Sequence, residues 1–407
     1  MLKLLSNKKK YCVFDIGSDK VICLFFKIEN KKPKIIGMDH QKSDGYYFNN
    51  YINEEKLSKT ILKAFSQSIP KNSNIKDFEY FSNITDINSL VKKSYTELST
   101  GKLGITKKDI RRLFNKSVID ARIKGKNLIH SYPIYFRLNE SKIVDDPLGE
   151  KCKKFGISSL NVFINNKITE ILHKCFRNQK IEIKNFFDSG IASMIANATD
   201  LEKKNGVACI DIGSTTSKVT VYIKDKIVFS KVFAIGGYHV TSDISKGLDI
   251  SKESAEHTKI INGSLKTSFN EKIEINSIKS KSKVINKNLL YGIIKPRYEE
   301  ILEIIRDSIF DDMFARVTIK SIILTGGASK IYGISDLSEN ILNRKVRIGS
   351  VNKKNSFFYN KPEFSTLLGL IKLTQEKNRL DYSSKFLKGN FLSFFDKLEN
   401  WIEESYA

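Results

Sequence analysis

At 407 residues and 41% hydrophobic content the chain is long enough to bury large cores, and its length predicts two to three domains. No apolar run approaches the roughly 18 to 20 residues that a bilayer-spanning helix needs, and Met1-Leu2-Lys3-Leu4-Leu5 is too short for a signal-peptide core, so a cytosolic chain is expected. The formal charge of +24 invites a nucleic-acid reading, but Lys outnumbers Arg about five to one, is spread through every segment and is not interleaved with aromatics, so specific nucleic-acid binding is not expected.

In chain order, residues 11–26 read as a hairpin: the apolar strand Tyr11-Cys12-Val13-Phe14, the turn Asp15-Ile16-Gly17-Ser18-Asp19-Lys20, and a second strand from Val21 to Phe26. Lys34 to Gly37 add a strand, and Asn53 caps a helix with Leu57, Ile61, Leu62 and Phe65 at helical spacing. Between about Asp77 and Asn161 the texture changes to a small α+β insertion. It holds a helix from Thr106 to Ile119, opened by a Thr106-x-x-Asp109 capping box, and the segments 127–133 and 144–149. His130 reads as a strand residue satisfied locally. From Ser159 the alternating α/β pattern returns, with a strand over Leu160 to Ile164, a helix from about Lys167, and a small-residue helix over Gly190 to Ile195. Cys12, Cys23, Cys152, Cys175 and Cys209 show no C-x-x-C spacing, which predicts free thiols with neither zinc nor disulfide.

The stretch Gly206 to Lys218 then repeats the first hairpin: apolar Val207 to Ile210, the turn Asp211-Ile212-Gly213-Ser214-Thr215-Thr216, and an alternating strand from Val219. Two such copies, half a chain apart, join a third glycine turn at Leu324-Thr325-Gly326-Gly327-Ala328, a pattern suited to a nucleotide held between two related lobes. Each hairpin would cradle phosphates with backbone amides and hydroxyls, Asp15 and Asp211 would hold a hydrated Mg²⁺, and Gly326-Gly327 would lie against the adenosine. Further on, Gly236 opens a helix, and Glu256 and Lys259 share a face of the next, either as a surface ion pair or as a nucleoside contact. Lys266 to Asn286 reads as an exposed hairpin, and Pro296 stands in the first turn of an amphipathic helix starting at Lys295. Past a polar linker, Phe391, Phe394, Phe395, Leu398, Trp401 and Ile402 form an apolar stripe. It either docks on its own protein or lies in a membrane interface, where each side chain contributes roughly 1.5–3 kcal/mol.

These motifs resemble the actin-like ATPases and, within them, the FtsA family of bacterial cell-division proteins. The resemblance rests on Asp15-Ile16-Gly17-Ser18 with Lys20, Val144 to Gly149, Val207 to Gly213, Val240 to Ile244, Ala255-Glu256-x-x-Lys259, Pro296 to Glu300, Leu324 to Ala328 and the Trp401 helix. It implies an α/β, actin-like two-lobed fold with duplicated ribonuclease-H-like domains, an inserted α+β subdomain of the 1C type and a C-terminal amphipathic helix. The implied divisions are 1–83 with 159–200 (1A), 84–158 (1C), 201–235 with 301–374 (2A), 236–300 (2B), a linker over 375–390 and a membrane-targeting helix over 391–407.

The resemblance further implies an ATP-binding protein that polymerises at the inner membrane face, at the division site, and tethers FtsZ there. The implied ATP contacts are Asp15, Gly17, Ser18 and Lys20, then Asp211, Gly213, Ser214 and Thr215, with Glu256 and Lys259 at the nucleoside and Gly326 and Gly327 beside adenine. Arg297 and Glu300 are the implied grip on the FtsZ C-terminal peptide. The second loop departs from the family pattern: Ser214 and Thr215 replace two glycines, and Lys218 stands where an acid is usual, to pair with a phosphate or point outward. Asn165 or Asn166 is the nearest match to a residue positioning the attacking water, so slow or undetectable hydrolysis is expected. A PilM-type pilus-assembly adaptor and a sugar or acetate kinase are the alternatives.

Overall fold

The computed structural model describes residues 10–375 apart from 31, 101–103, 268–270, 276–282, 312–317, 350–357 and 359. The expected linker beyond residue 375 and the terminal helix, with Phe391, Phe394, Phe395, Leu398, Trp401 and Ile402, lie outside the described residues. The described chain divides into two units: residues 10–195 with 226–231 and 366–375, and residues 196–225 with 232–365.

The first unit runs β1 (Lys10–Ile16), β2 (Lys20–Glu29), β3 (Lys32–Lys42), α1 (Glu54–Ser68), β4 (Phe78–Ile84), β5 (Leu90–Ser99), α2 (Lys107–Asp120), β6 (Lys126–Leu138), β7 (Lys142–Val144), β8 (Lys154–Asn165), α3 (Asn166–Arg177), β9 (Ile183–Asp188) and α4 (Ser189–Asn197). Its main sheet has the order β3-β2-β1-β4-β9, with the first three strands antiparallel and β4 and β9 parallel to β1. A central strand covered on both faces reads as an unbroken apolar run, and β1 is buried from Tyr11 to Ile16. Phe14 and Phe25 pack with Phe65 of α1 and Phe176 of α3, and Phe14 meets Phe176 edge to face at 4.9 Å between centroids. Asn53 caps α1, its Oδ1 accepting from the Lys56 amide at 3.0 Å, and the Thr106–Asp109 capping box opens α2.

A second sheet, β5-β8-β6-β7, is antiparallel throughout. Ile110, Leu113, Phe114 and Val118 of α2 share a core with Phe136, Leu138, Phe155 and Ile157. The expected boundary at 158/159 falls inside β8, a strand of 12 residues. One end of that strand gives Phe155 and Ile157 to the insertion's core, and the other gives Ile164 to the core beneath β1. Pro133 stands inside β6, where the register shifts between Pro133 and Tyr135, as a strand lacking one amide requires.

The elements that follow are α5 (Asp200–Asn205), β10 (Val207–Ile212), β11 (Ser217–Ile223), β12 (Lys226–Phe233, whose residues 226–231 are grouped with the first unit), α6 (Gly237–Leu248), α7 (Lys252–Asn262), β13 (Lys272–Ile275), β14 (Lys283–Asn286), α8 (Lys287–Phe310), β15 (Ser321–Thr325), α9 (Ile334–Leu342), β16 (Lys345–Ile348) and α10 (Ser365–Gln375). The sheet order β12-β11-β10-β15-β16 repeats the connectivity of the first unit, again with β10 and β11 antiparallel and β15 and β16 parallel to β10. The expected exposed hairpin is the β13–β14 pair.

One helix begins earlier than its sequence predicts. Pro296 lies within α8, which starts at Lys287 under an Asn286 cap and not at Lys295. A proline in a helix interior costs about 3 kcal/mol. Leu290 and Ile294, both fully buried ahead of it, contribute roughly 1.5–3 kcal/mol each by leaving water, which offsets that cost.

Candidate functional site

In the first unit the turn between β1 and β2 is closed by the Gly17 amide donating to the Lys20 carbonyl at 2.9 Å. Gly17 and Ser18 are half-buried, and Asp15, at the end of β1, is 9% exposed. Sequence reasoning missed the residue that fixes this carboxylate. Asn83, at the end of β4 beside β1, accepts from the Ile16 amide at 2.7 Å and donates to Asp15 Oδ1 at 3.0 Å, to the Ile16 carbonyl at 3.1 Å and to Ser189 Oγ at 3.1 Å. Its one sequence signal is a polar pair, Ser82-Asn83, interrupting an apolar strand.

In the second unit three separate stretches converge. The Gly213 amide donates to the Thr216 carbonyl at 2.9 Å, closing the same turn as in the first hairpin. The first amides of α6 dock this turn: Gly237 donates to the Gly213 carbonyl at 2.9 Å and Tyr238 to the Ser214 carbonyl at 2.8 Å. A Cβ at Gly236 would stand 2.6 Å from the Ser214 carbonyl oxygen and 2.7 Å from that of Gly213, so this helix start approaches the loop more closely than any other residue allows. The third stretch is the Gly326-Gly327 turn. Gly326 has φ +87°, and a side chain there would collide with Asp211 Oδ1 and the Ile212 carbonyl. The turn is tied down by its Gly326 amide and by Thr325 Oγ1, both donating to the Pro362 carbonyl, at 3.2 and 3.0 Å. Because Gly237 and Tyr238 give their amides to the loop, those two amides are taken up within the chain. The Ser214 amide has no partner among the described residues, and Ser214 and Thr216 are half-buried.

Lys218 does not point outward. It is the direct cross-strand partner of Asp211, with Nζ 3.7 Å from Asp211 Oδ2. Glu256 and Lys259 are more than a surface pair: the Lys259 side chain is only 11% exposed, against 44% for Glu256. The Lys259 ammonium donates to Glu256 Oε2 at 2.7 Å, to Thr241 Oγ1 at 2.8 Å and to the Gly237 carbonyl at 3.0 Å, and the Thr241 hydroxyl closes onto Glu256. All three ammonium hydrogens are thereby engaged, so Lys259 braces α7 against the start of α6 and leaves Glu256 as the group able to accept from a ligand hydroxyl.

Arg297 is also engaged within the chain. Its guanidinium grips Asp243 of α6 through Nε at 2.6 Å and Nη2 at 3.2 Å, and Nη1 bonds Glu300. Of the two residues matched to a water-positioning role, Asn165 is committed elsewhere: its Oδ1 accepts from the Lys167 amide at 3.0 Å to cap α3, and its own amide donates to Asp86 at 2.9 Å. His130 is a core residue, stacked on Tyr132 and Phe187, whose Nε2 accepts from the Asp188 amide at 2.9 Å. His239, another residue not expected, reaches back from α6 so that Nδ1 accepts from the Gly236 amide at 3.1 Å. Burial is the main cause that holds its imidazole below the usual 6.5. No helix among the described residues is long and apolar enough to cross a membrane.

Solved structures with this fold include the PilM-PilN type IV pilus biogenesis complex, at TM-score 0.60 and 14% identity over 89% of this chain and 97% of that one. MreB5 of Spiroplasma citri bound to ADP superimposes at TM-score 0.55 with 13% identity, covering 94% of this chain and 100% of that one. MreB5 bound to AMPPNP gives the same TM-score over 90% of this chain and 96% of that one. Identities this low establish an actin-like fold and nothing finer. Sequence similarity goes further. The cell division protein FtsA of Agrobacterium fabrum is 26% identical over 441 residues, covering 100% of this chain and 97% of that protein. That of Bacillus subtilis is 25% identical over 92% of this chain and 86% of the other. The family model for cell division protein FtsA matches residues 208–369, the span that carries the second hairpin, α6, α7 and the Gly326 turn. Along its full length the chain is therefore similar to cell division protein FtsA, and it carries that similarity on an actin-like fold.

Proposed function

We propose that this chain binds ATP, polymerises at the inner membrane face at the division site, and tethers FtsZ filaments there through its C-terminal amphipathic helix. The observation that carries the reading is the convergence of the 213–216 loop, the start of α6 and the Gly326 turn around the carboxylate of Asp211, on a fold it shares with nucleotide-bound MreB5. The proposed ATP contacts are Asp15, Gly17, Ser18 and Lys20 in one loop and Asp211, Gly213, Ser214 and Thr215 in the other. Glu256 would take the ribose with Lys259 positioning it, and Gly326 and Gly327 would lie beside adenine. Asp15 is the carboxylate left to meet a magnesium ion through water. With Asn165 committed to its helix cap, turnover is expected to be slow.

Phe391, Phe394, Phe395, Leu398, Trp401 and Ile402 would enter the membrane interface. An FtsZ C-terminal peptide reaching Arg297 would displace Glu300, whose side chain is 47% exposed, in preference to Asp243 at 28%.

The test has two arms. Calorimetric titration of the full chain is expected to give one ATP per molecule, lost on substitution of either Gly17 or Gly213 by valine. Loss on substitution of one loop alone would separate the loops and end the shared-site reading. Liposome sedimentation with an FtsZ tail peptide is expected to carry peptide down with the full chain and not with a chain ending at Lys388. Equal pelleting by both chains would remove the tether, and unchanged peptide binding by Arg297→Glu would remove the docking site.

A further inference from the structure

Asp211 was expected to share a hydrated divalent cation with Asp15, yet in the structure its carboxylate already faces a cation. Lys218 Nζ lies 3.7 Å from Asp211 Oδ2, and the two side chains are 11% and 6% exposed. The pairing is built in by register, because Asp211 and Lys218 are opposed across the β10–β11 ladder. The other carboxylate oxygen is just as confined: Oδ1 fills the space where a Cβ on Gly326 would lie.

A magnesium ion demands near-octahedral oxygen geometry and keeps several waters. Such a hydrated dication would have to share Asp211 with an ammonium, and two like charges in a largely water-excluded site repel strongly. The residues present therefore do not fit a metal resting on Asp211. They do fit an anion. The same Lys218 nitrogen stands 3.7 Å from the position of a Cβ on Gly213, so its charge sits against the loop whose Ser214 amide is unpartnered among the described residues. In the first hairpin the residue opposite Asp15 is Ile22, fully buried and apolar, so that aspartate has no cross-strand lysine.

We propose that Lys218 acts as a built-in counter-cation at the second phosphate loop, doing there what a metal would do for the nucleotide's phosphates, so that the chain holds ATP in the absence of divalent ions. This rests on the ATP-binding reading above and adds which group neutralises the phosphates.

The experiment is calorimetric titration of the full chain with ATP, once in magnesium and once in EDTA. The wild-type dissociation constant is expected to change by less than about tenfold between the two conditions. In EDTA, Lys218→Met should bind more than about tenfold more weakly than wild type, while Lys218→Arg should match it. Because Lys218→Met takes the ammonium away from a buried carboxylate and endangers folding, the Asp211→Asn, Lys218→Met double variant serves as its folded counterpart and should show the same loss. A wild-type loss above tenfold on chelation, or wild-type affinity in EDTA for a folded variant lacking the ammonium, overturns the proposal and leaves ATP binding standing. Absence of ATP binding in both conditions overturns the nucleotide reading and this inference together.

Discussion

The two five-stranded sheets are one design used twice, and the two hairpins at their centres show where the copies part. Both close a four-residue turn with the same glycine amide to carbonyl bond at 2.9 Å, and both place an aspartate at the end of the central strand. The first aspartate is fixed by addition: Asn83 reaches over from the neighbouring parallel strand and bonds both the carboxylate and the Ile16 backbone. The second is fixed by subtraction: Gly326, one residue past the end of the neighbouring β15, leaves out a side chain so that the carboxylate and a carbonyl can fill the space. The lesson is that a repeated backbone does not impose repeated chemistry. Asp15 is opposed across its ladder by an apolar Ile22 and Asp211 by an ammonium, so the two strand-end carboxylates meet different partners.

Substitutions can break this contrast to different depths. The largest effect is expected from Gly326→Val, which forces a β-branched residue into φ +87° and into the Asp211 carboxylate. A loss of about 2–4 kcal/mol in urea unfolding is expected, together with loss of ATP binding. Native stability in this variant would mean that the turn relaxes and the subtraction is unimportant. Next comes Asn83→Ala, which leaves the Ile16 amide and carbonyl buried without their partner. It should cost about 2–3 kcal/mol, and Thr325→Ala, at the matching place in β15, about 1 kcal/mol. Equal costs would show that the two sheets secure their central strands in the same way after all.

A smaller effect is expected from Arg297→Ala. The Asp243 and Arg297 side chains are each 28% exposed, so losing the bracket between α6 and α8 should cost about 1 kcal/mol in the same assay. The smallest effect concerns pH. His239 is held neutral in the fold mainly by burial, with its folded pKa below the unfolded 6.5. Its contribution is therefore fully present above that unfolded value and is lost as pH falls through the folded value, because the unfolded chain takes up the proton first. An NMR titration of the His239 ring should give a midpoint below 6.5, and His239→Gln should flatten the fall in stability as pH drops below 6.5. A midpoint at or above 6.5 would contradict it.

How much was legible in the sequence differs by element. Both hairpins, the Asn53 and Thr106 caps and the third glycine turn were readable, because strand alternation, capping and tight turns are set by residues within a few positions of one another. The early start of α8 was not, because local rules put a proline at a helix start. Only the buried stripe from Leu290 through Tyr298 carries the helix past it.

By itself, then, the amino-acid order determined the duplicated strand-turn-strand pattern, the glycine positions and the carboxylates at the strand ends. Tertiary structure alone decided what those groups face. Asn83 meets Asp15 from 68 residues away and Arg297 meets Asp243 from 54 away, distances over which no sequence period signals a partner. Lys218 lies only a hairpin turn from Asp211, yet whether its flexible stem carries the charge inward or out to water depended on the burial of the Asp211 carboxylate, which lies against the Gly326 turn. A charged side chain's direction is a balance of desolvation against pairing, and that balance exists only once the surrounding chain has excluded the water.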